Sequence, residues 1–446
     1  METEKTDIVI VGTGASGLFA ALHLPRDKRV LMITKDEVEN SDSFLAQGGI
    51  CVLHDKDDYD SFMEDTLKAG HYENRRESVD IMIRSSRPVI NELIGYGVDF
   101  ARKADGSLDY TREGCHSRPR ILFHEDITGK EITSHLLAAV RQLPNVTIRD
   151  FTTMVDIVTD ENRCLGIIAR DSQGRYRAIQ ADETILASGG VGGLYDHSTN
   201  FPHLTGDALA IAMRHGVELE HIDYVQIHPT SLYSKKPGRS FLISESVRGE
   251  GAKLRGKDGQ RFANEVLPRD LMTAEIRKQM KKDDLPFVWL DMTVLGEDVI
   301  KHHSRTFMNA AWKTASMRRR TGSRSCRPST TSWVASTSTS TARRRWTSLC
   351  RRRNELQRRP RPQPPGQQFS PGKPGLRQAR SPAHRGNRKA ATAGSQCRRV
   401  CPSLCAVRSF IGSHEDTLAE EYRRHVLGEM ERERECDEQR NHEIAG

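Results

Sequence analysis

The first thirty-five residues alternate between runs that are apolar at every position and short turns rich in glycine. Ile8-Val9-Ile10-Val11 has the pattern of a strand buried on both faces. It runs directly into Gly12-Thr13-Gly14-Ala15-Ser16-Gly17, and the apolar spacing of Leu18 to Leu24 predicts a helix after it. Arg29 to Thr34 predicts a second buried strand, completing a βαβ unit. Helical spacing recurs over Tyr59–Ala69 and Ser78–Tyr96, and strands are predicted over Val146–Val155, Cys164–Arg170 and Glu183–Ala187. The last of these leads into Ser188-Gly189-Gly190, and Thr205-Gly206-Asp207 opens a further helix. From Tyr224 to Met308 the pattern becomes more polar and charged, which predicts a second domain. The tail Ser413–Arg434 reads as a capped, solvated helix. No run approaches about 18 apolar residues, and no basic and apolar leader precedes the first strand, so the chain is expected to be cytoplasmic, neither secreted nor membrane-spanning.

G-x-G-x-x-G between a strand and a helix has a physical logic. Gly12 allows the tight turn, Gly14 lets backbone approach a pyrophosphate, and Gly17 lets the helix pack on the strand. The bland reading is a glycine-rich turn; the legible strand and helix on either side favour dinucleotide binding. The second strand ends at Lys35, where the usual NAD fingerprint places an acid for the ribose hydroxyls. That argues against ordinary NAD binding. The returning strand Glu183–Ala187, with its own glycine turn, fits a flavoprotein with two dinucleotide-type turns better than a plain dehydrogenase.

Charge changes this picture in one place. The chain has 446 residues and a formal charge of +8, but residues 313–408 hold 21 Arg and 3 Lys against the single acid Glu355. That block carries +23, leaving −15 on the rest, an ordinary acidic balance. The block is rich in Ser, Thr and Pro, shows no period, and holds five of the nine cysteines. Such a composition cannot bury enough apolar surface to offset chain entropy. Three readings stand: a basic nucleic-acid arm, suggested by Arg343-Arg344-Arg345 and Arg351-Arg352-Arg353; a linker; or out-of-frame translation of a once-folded segment. Cys397, Cys401 and Cys405 recur at every fourth position, which fits neither zinc nor iron–sulfur spacing, and no metal is expected.

A set of ordered motifs over roughly residues 5 to 310 resembles one family. They are Ala46-Gln47-Gly48-Gly49, Thr111-Arg112-Glu113-Gly114-Cys115-His116-Ser117, Ala187-Ser188-Gly189-Gly190, Thr205-Gly206-Asp207, His228-Pro229-Thr230, Glu245-Ser246-Val247-Arg248-Gly249-Glu250-Gly251-Ala252 and Pro268-Arg269-Asp270. Together they resemble the FAD-dependent succinate dehydrogenase, fumarate reductase and L-aspartate oxidase flavoproteins. The resemblance implies an α/β fold: a Rossmann-like FAD-binding domain over 1–223, an inserted α+β capping domain over 224–312, the aberrant block 313–408, and a remnant C-terminal helical segment over 409–446.

Two departures sort the members. Succinate dehydrogenases attach FAD covalently to a histidine at the position of Asp42, so non-covalent FAD is implied here. Dicarboxylate-only enzymes carry an uncharged residue at the position of Glu113; an acid there suits a substrate with an ammonium group. Both favour L-aspartate oxidase over a soluble fumarate reductase or succinate-oxidising flavoprotein. A third possibility from another class is an inactive flavoprotein relic with a basic nucleic-acid-binding arm.

By resemblance Arg269 is the proton-handling arginine, with Glu245 and Arg248 as its relay. Glu113, His228 and Ser244 bind substrate. Gly12, Gly14, Ala15, Ser16, Gly17, Lys35, Ala46, Gln47, Gly48, Gly49 and Asp207 contact FAD. Read without the family, Arg269 and Asp270 form an ion pair at a helix start, His228 is a satisfied structural residue, Glu113 is a solvated acid and Asp207 is a helix cap. The implied product is iminoaspartate, a precursor of quinolinate and NAD. Oxygen or fumarate is the implied electron acceptor, quinolinate synthase the implied partner, and no nucleic acid is expected.

The family continues with an Ala-Gln-His-Tyr-x-x-Gly-Gly segment and later a second FAD segment, neither of which is present. Permissible codons for Arg327 to Ser336, CGG-CCC-AGC-ACT-ACT-TCA-TGG-GTG-GCA-TCC, entered at the third base, give Ala-Gln-His-Tyr-Phe-Met-Gly-Gly-Ile. Codons for Arg353 to Pro362, CGA-AAC-GAG-TTG-CAA-CGG-CGT-CCA-CGG-CCG, entered at the second base, give Glu-Thr-Ser-Cys-Asn-Gly-Val-His-Gly. Both match the family, which favours the out-of-frame reading and requires more than one insertion or deletion. The hidden segments would supply a substrate histidine, a carboxylate-binding arginine and flavin contacts. The chain as written is therefore expected to hold FAD poorly and to have little activity.

Overall fold

The computed structural model describes residues 1–113, 115–160, 163–217, 219, 222–233, 238–292 and 294–295, together with the backbone of 332–333 and 338–341. Its first elements are β1 (Glu2–Lys5), β2 (Ile8–Val11), α1 (Ala15–Leu22), β3 (Val30–Ile33), α2 (Asp42–Leu45), β4 (Ile50–Cys51), α3 (Tyr59–Ala69) and α4 (Arg76–Gly95). Then come β5 (Ile121–Leu122), α5 (Thr128–Arg141), β6 (Val146–Arg149), β7 (Thr153–Asp160), β8 (Arg163–Arg170), β9 (Tyr176–Gln180), β10 (Glu183–Leu186) and α6 (Asp207–Arg214).

The fully apolar strands make the central sheet, as their pattern predicts. β10, β2, β3 and β6 lie side by side in that order, all parallel, with Val11 opposite both Ile33 and Leu186. Successive side chains point to opposite faces, so each strand feeds two cores. Ile8, Ile10, Val30 and Met32 pack against α1, α4 and α5. Val9, Val11, Leu31 and Ile33 pack against α6 and a second sheet of β1, β9, β8 and β7. Each fully buried aliphatic side chain contributes about 1.5–3 kcal/mol, so these two faces carry the first two hundred residues.

One predicted strand is in fact two. The run Val146–Val155 is broken at Phe151, whose φ is +45° and whose ring is exposed. β6 joins the parallel sheet, and β7 crosses to the second one. β-propensity alone does not reveal such a reversal, because both halves remain good strands.

A third core gathers Leu232, Ile243, Val247, Leu254, Met272, Ile276, Val288 and Leu290. Its elements are β11 (Val225–His228), β12 (Ser231–Leu232), β13 (Phe241–Leu242), α7 (Glu245–Gly249), β14 (Lys253–Arg255), α8 (Arg269–Asp283) and β15 (Val288–Asp291). The basic block, expected to be unstructured, contributes two short strands. β16 (Ser332–Trp333) pairs with β15, and β17 (Ser338–Thr341) pairs with β11. Strand edges accept any extended backbone, and Ser/Thr runs suit that geometry. The expected helix Ser413–Arg434 lies outside the described residues.

Candidate active site

The turn after β2 is closed by steric necessity. Gly12 has φ +113°, and a Cβ there would sit 2.2 Å from the Ala187 carbonyl oxygen at the end of β10. A Cβ on Gly17 would sit 2.1 Å from the Gly12 oxygen. The two glycines therefore let two strand ends and a helix meet at one point. Gly14 caps α1 with extended backbone, and the first turn of the helix holds no acid. The Ala15 N–H donates to Ser43 Oγ at 3.1 Å, and Ser16 is exposed. The helix dipole thus points its positive end at a glycine-walled cradle beside the Ser41–Gly49 segment, the geometry an anionic pyrophosphate requires. Of the segment's own predicted contacts, Ala46 and Gly48 are exposed, and Gln47 and Gly49 are half-buried.

Lys35 and Asp207, expected as separate cofactor contacts, bind each other. Lys35 Nζ donates to Asp207 Oδ2 at 2.7 Å, to Thr205 Oγ1 at 2.8 Å and to the His203 carbonyl at 3.0 Å. Thr205 Oγ1 in turn donates to Asp207 Oδ1 at 2.6 Å. The end of β3 is thereby clasped to the start of α6. Asp42 accepts from the Phe201 N–H at 3.1 Å and from the Asn200 amide; burial pushes its carboxyl upward against those hydrogen bonds.

A second group of predicted residues converges where the third core meets the first domain. Arg269, the first residue of α8, donates from Nε to Glu245 Oε2 at 2.9 Å and from Nη1 to Gln226 Oε1 at 2.6 Å. Arg248, on the same short helix as Glu245, is 2% exposed. Its Nη1 donates to the Glu265 carbonyl at 2.7 Å, while Nε and Nη2 have no hydrogen-bond partner among the described residues. Burial, and Arg269 nearby, lower its affinity for a proton, opposed by Glu245 and Glu265. His228 is 3% exposed, its Nδ1 2.9 Å from the Thr230 oxygen and 3.3 Å from the Thr230 nitrogen. Burial, then Arg269 and Arg248, hold its pKa well below the ordinary histidine value, so the ring is neutral. Ser244 is 9% exposed and precedes Glu245.

Glu113 belongs to the same electrostatic neighbourhood. Burial and the Glu245 carboxylate raise its pKa; Arg269 and a hydrogen bond from the Gly49 N–H oppose them. A Cβ on Gly48 would lie 3.5 Å from Glu113 Oε1, so that glycine faces the carboxylate. The structure thus brings Glu113, Glu245, Arg269, Arg248 and His228 into one field, two acids and two arginines around a neutral imidazole.

Sequence reasoning missed three things here. Gln226, which fixes Arg269, shares a face of β11 with His228, and the two-residue strand period was the available signal. Arg120 is fully buried; its Nε and Nη2 donate to Asp58 Oδ2 and Oδ1 at 3.1 and 2.8 Å, and Nη1 bonds Asp65. Asp65 Oδ2 also accepts from both the N–H and the Oγ of Ser117 at 2.7 Å, anchoring the turn that carries Glu113. Asp58, just before α3, and Ser61 and Asp65 on it recur at i, i+3 and i+7, on one side of the helix, which marks the network in the sequence. Third, Cys51 Sγ lies 3.2 Å from His116 Nε2.

A family model described as an FAD binding domain matches residues 7–344. An L-aspartate oxidase of Clostridium perfringens is 43% identical over 304 residues, covering 68% of this chain and 69% of its own length. The L-aspartate oxidase 1 of Ralstonia nicotianae is 38% identical over 68% of this chain, which spans 60% of that relative. Among solved structures, a quinol fumarate reductase of E. coli superposes with a TM-score of 0.68 at 25% identity, covering 76% of this chain and 61% of its own. Among the described residues no helix is long and apolar enough to cross a membrane.

Proposed function

The chain belongs to the L-aspartate oxidase family of FAD-binding flavoproteins, and from that premise we propose that it oxidises L-aspartate to iminoaspartate, with oxygen or fumarate as the final electron acceptor. Bound FAD supplies the hydride acceptor; the chain's part is to hold the substrate and manage its proton. Residues 1–223 form the FAD domain in this reading, and residues 224–312 the capping domain that covers the substrate. The cradle of Gly12, Gly14 and Gly17 at the α1 N-terminus suits the pyrophosphate. Asp42, in place of an attachment histidine and already hydrogen-bonded to Asn200 and Phe201, leaves the flavin non-covalent.

The observation that carries the reading is the cluster of Arg269, Glu245 and Glu113. Glu113 sets an acceptor beside the place where an ammonium group would sit, which a dicarboxylate lacking nitrogen would not need. Contacts of His228 Nδ1 with the Thr230 carbonyl oxygen at 2.9 Å and the Thr230 N–H at 3.3 Å fix the buried ring, whose other nitrogen, Nε2, meets a substrate carboxylate as a donor when it carries a proton. Arg248, buried with two guanidinium nitrogens unpaired among the described residues, adds positive charge for the same anion. With the one Cα hydrogen leaving as hydride, the proton comes from the substrate nitrogen, and Arg269 relays it toward Glu245, 2.9 Å away. The structural likeness to a fumarate reductase supports dicarboxylate reduction as the second reading, and Glu113 is the residue that separates the two. The product imine is unstable in water, which favours handover to quinolinate synthase in the cytoplasm.

The test compares the chain as written with one whose gene is restored to the two hidden frames. The restored protein is expected to be yellow, to release its flavin on acid precipitation, and to lose its visible flavin band on anaerobic addition of L-aspartate but not succinate. The chain as written is expected to hold little flavin. Bleaching by succinate alone would assign the second reading. A restored protein that stays colourless with excess FAD would overturn both, and codons incompatible with the hidden strings would end the out-of-frame explanation.

A further inference from the structure

Cys51 and His116 come from segments sixty-five residues apart, and each is placed by its own backbone. Cys51 sits on β4, paired with Ile121 of β5. His116 lies in the Glu113 turn, its N–H donating to the Glu113 carbonyl at 3.3 Å. The two side chains meet at 3.2 Å between Sγ and Nε2, and Cys51 is half-buried rather than sealed. A thiol held against an imidazole is the arrangement that yields a thiolate at neutral pH. The chain's other described thiols differ. Cys164 donates its S–H to the Gly166 carbonyl at 3.4 Å, and burial, chiefly, raises the Cys115 thiol.

We propose that Cys51 is a peroxide-reactive cysteine activated by His116, and that its oxidation acts on the turn carrying Glu113. The Cys51 thiolate attacks one oxygen of hydrogen peroxide; the S–O bond forms as the O–O bond breaks. Sulfur is oxidised by two electrons to the sulfenic acid, peroxide is reduced, and the departing hydroxide takes the imidazolium proton of His116 as water. The added oxygen enters the contact between β4 and the Glu113 turn. Gly49, two residues before Cys51, is the residue whose N–H holds the Glu113 carboxylate. Oxidation at Cys51 therefore reaches both partners of the hydrogen bond that orients the acid. The chemistry needs only added peroxide; that its source is the oxygen branch of the aspartate reaction rests on the proposed function.

The experiment uses the full chain, without flavin or turnover. Limited peroxide is added, sulfenic acid is trapped with dimedone, and each cysteine peptide is quantified by mass spectrometry. Cys51 is expected to label about tenfold faster than Cys164, from the larger thiolate fraction of a paired thiol. His116→Asn is expected to abolish that excess. The alkylation rate of Cys51 against pH in the unsubstituted chain needs no variant, and should rise to its plateau below the free-cysteine range near about 8.5. Equal labelling of Cys51 and Cys164, an unchanged rate in a folded His116→Asn, or a pH profile at or above the free-cysteine range each overturns the assignment.

Discussion

Replacing Arg120 by Met keeps the length of the side chain and removes the charge that two acids share. Asp58 is 1% exposed as a side chain and Asp65 16%, while the guanidinium is fully covered. Breaking a buried pair by removing one partner costs about 3–5 kcal/mol, because the other charge stays buried. Ser61 and Ser117 still donate to the two acids at 2.7 Å, which offsets part of the loss, so about 3–4 kcal/mol is expected at pH 7. The pH dependence carries the sharper information. In the intact chain burial raises both carboxyls, but hydrogen bonds from Arg120, Ser61 and Ser117 outweigh it and hold both below the ordinary 3.8. Groups with depressed values contribute stability above their unfolded pKa and lose it as pH falls through the folded value. In Arg120→Met burial acts with fewer opponents, the carboxyls take up protons at higher pH, and the deficit against the intact chain shrinks on acidification. Urea unfolding followed by far-UV circular dichroism at pH 7 and about pH 4.5 measures both numbers. A deficit below about 1 kcal/mol at pH 7, or one that grows on acidification, would refute the reasoning.

Gly12→Ala forces a side chain into φ +113° with its Cβ 2.2 Å from a strand carbonyl. It is expected to cost on the order of 3 kcal/mol or more and, in the frame-restored protein, to abolish flavin retention; a urea midpoint equal to that of the intact chain would contradict this. Glu113→Gln, made in the frame-restored protein, removes one charge-assisted hydrogen bond to an ammonium group. It should raise KM for L-aspartate by about 10- to 100-fold, the equivalent of about 1.5–3 kcal/mol, and leave the KM for fumarate reduction unchanged. Equal effects on both substrates would assign Glu113 to general structure.

The parts of the fold legible in the sequence were those in which one segment carries its own instructions. β2, the glycine turn and α1 are such a case: four apolar residues, three glycines at fixed offsets and a helical stripe agree with one another. The break at Phe151 was not legible, because it depends on which of two sheets offers the better edge. The site divides in the same way. Glu245 and Arg248 are one helical turn apart and could be grouped by eye, but joining them to Arg269 and Glu113 required a family resemblance, since only the fold brings those segments together. Arg120 was passed over because Arg118-Pro119-Arg120 reads as a solvated surface, and a charge that is buried with its partners leaves the same local pattern as one that is not. Lys35 shows the same limit: its place at the end of β3 suggested a ligand contact, and nothing in its local sequence marks the hydrogen bonds to Thr205, His203 and Asp207.

The order of strands in the parallel sheet also bears on how the chain is made. β10, β2, β3 and β6 all lie within the first 186 residues, and the clasp from Lys35 closes at residue 207. A ribosome has delivered every strand of that sheet, its three glycines and both partners of the clasp more than a hundred residues before it reaches the basic block. Domains fold as units during synthesis, N-terminal portions first. The proposed shift of reading frame beyond residue 313 therefore meets a nascent chain whose first glycine turn, parallel strands and clasp have already been made, and changes only the flavin contacts that come later. Whatever the chain carries beyond residue 313, it is added after these strands, the glycine turn and both partners of the clasp.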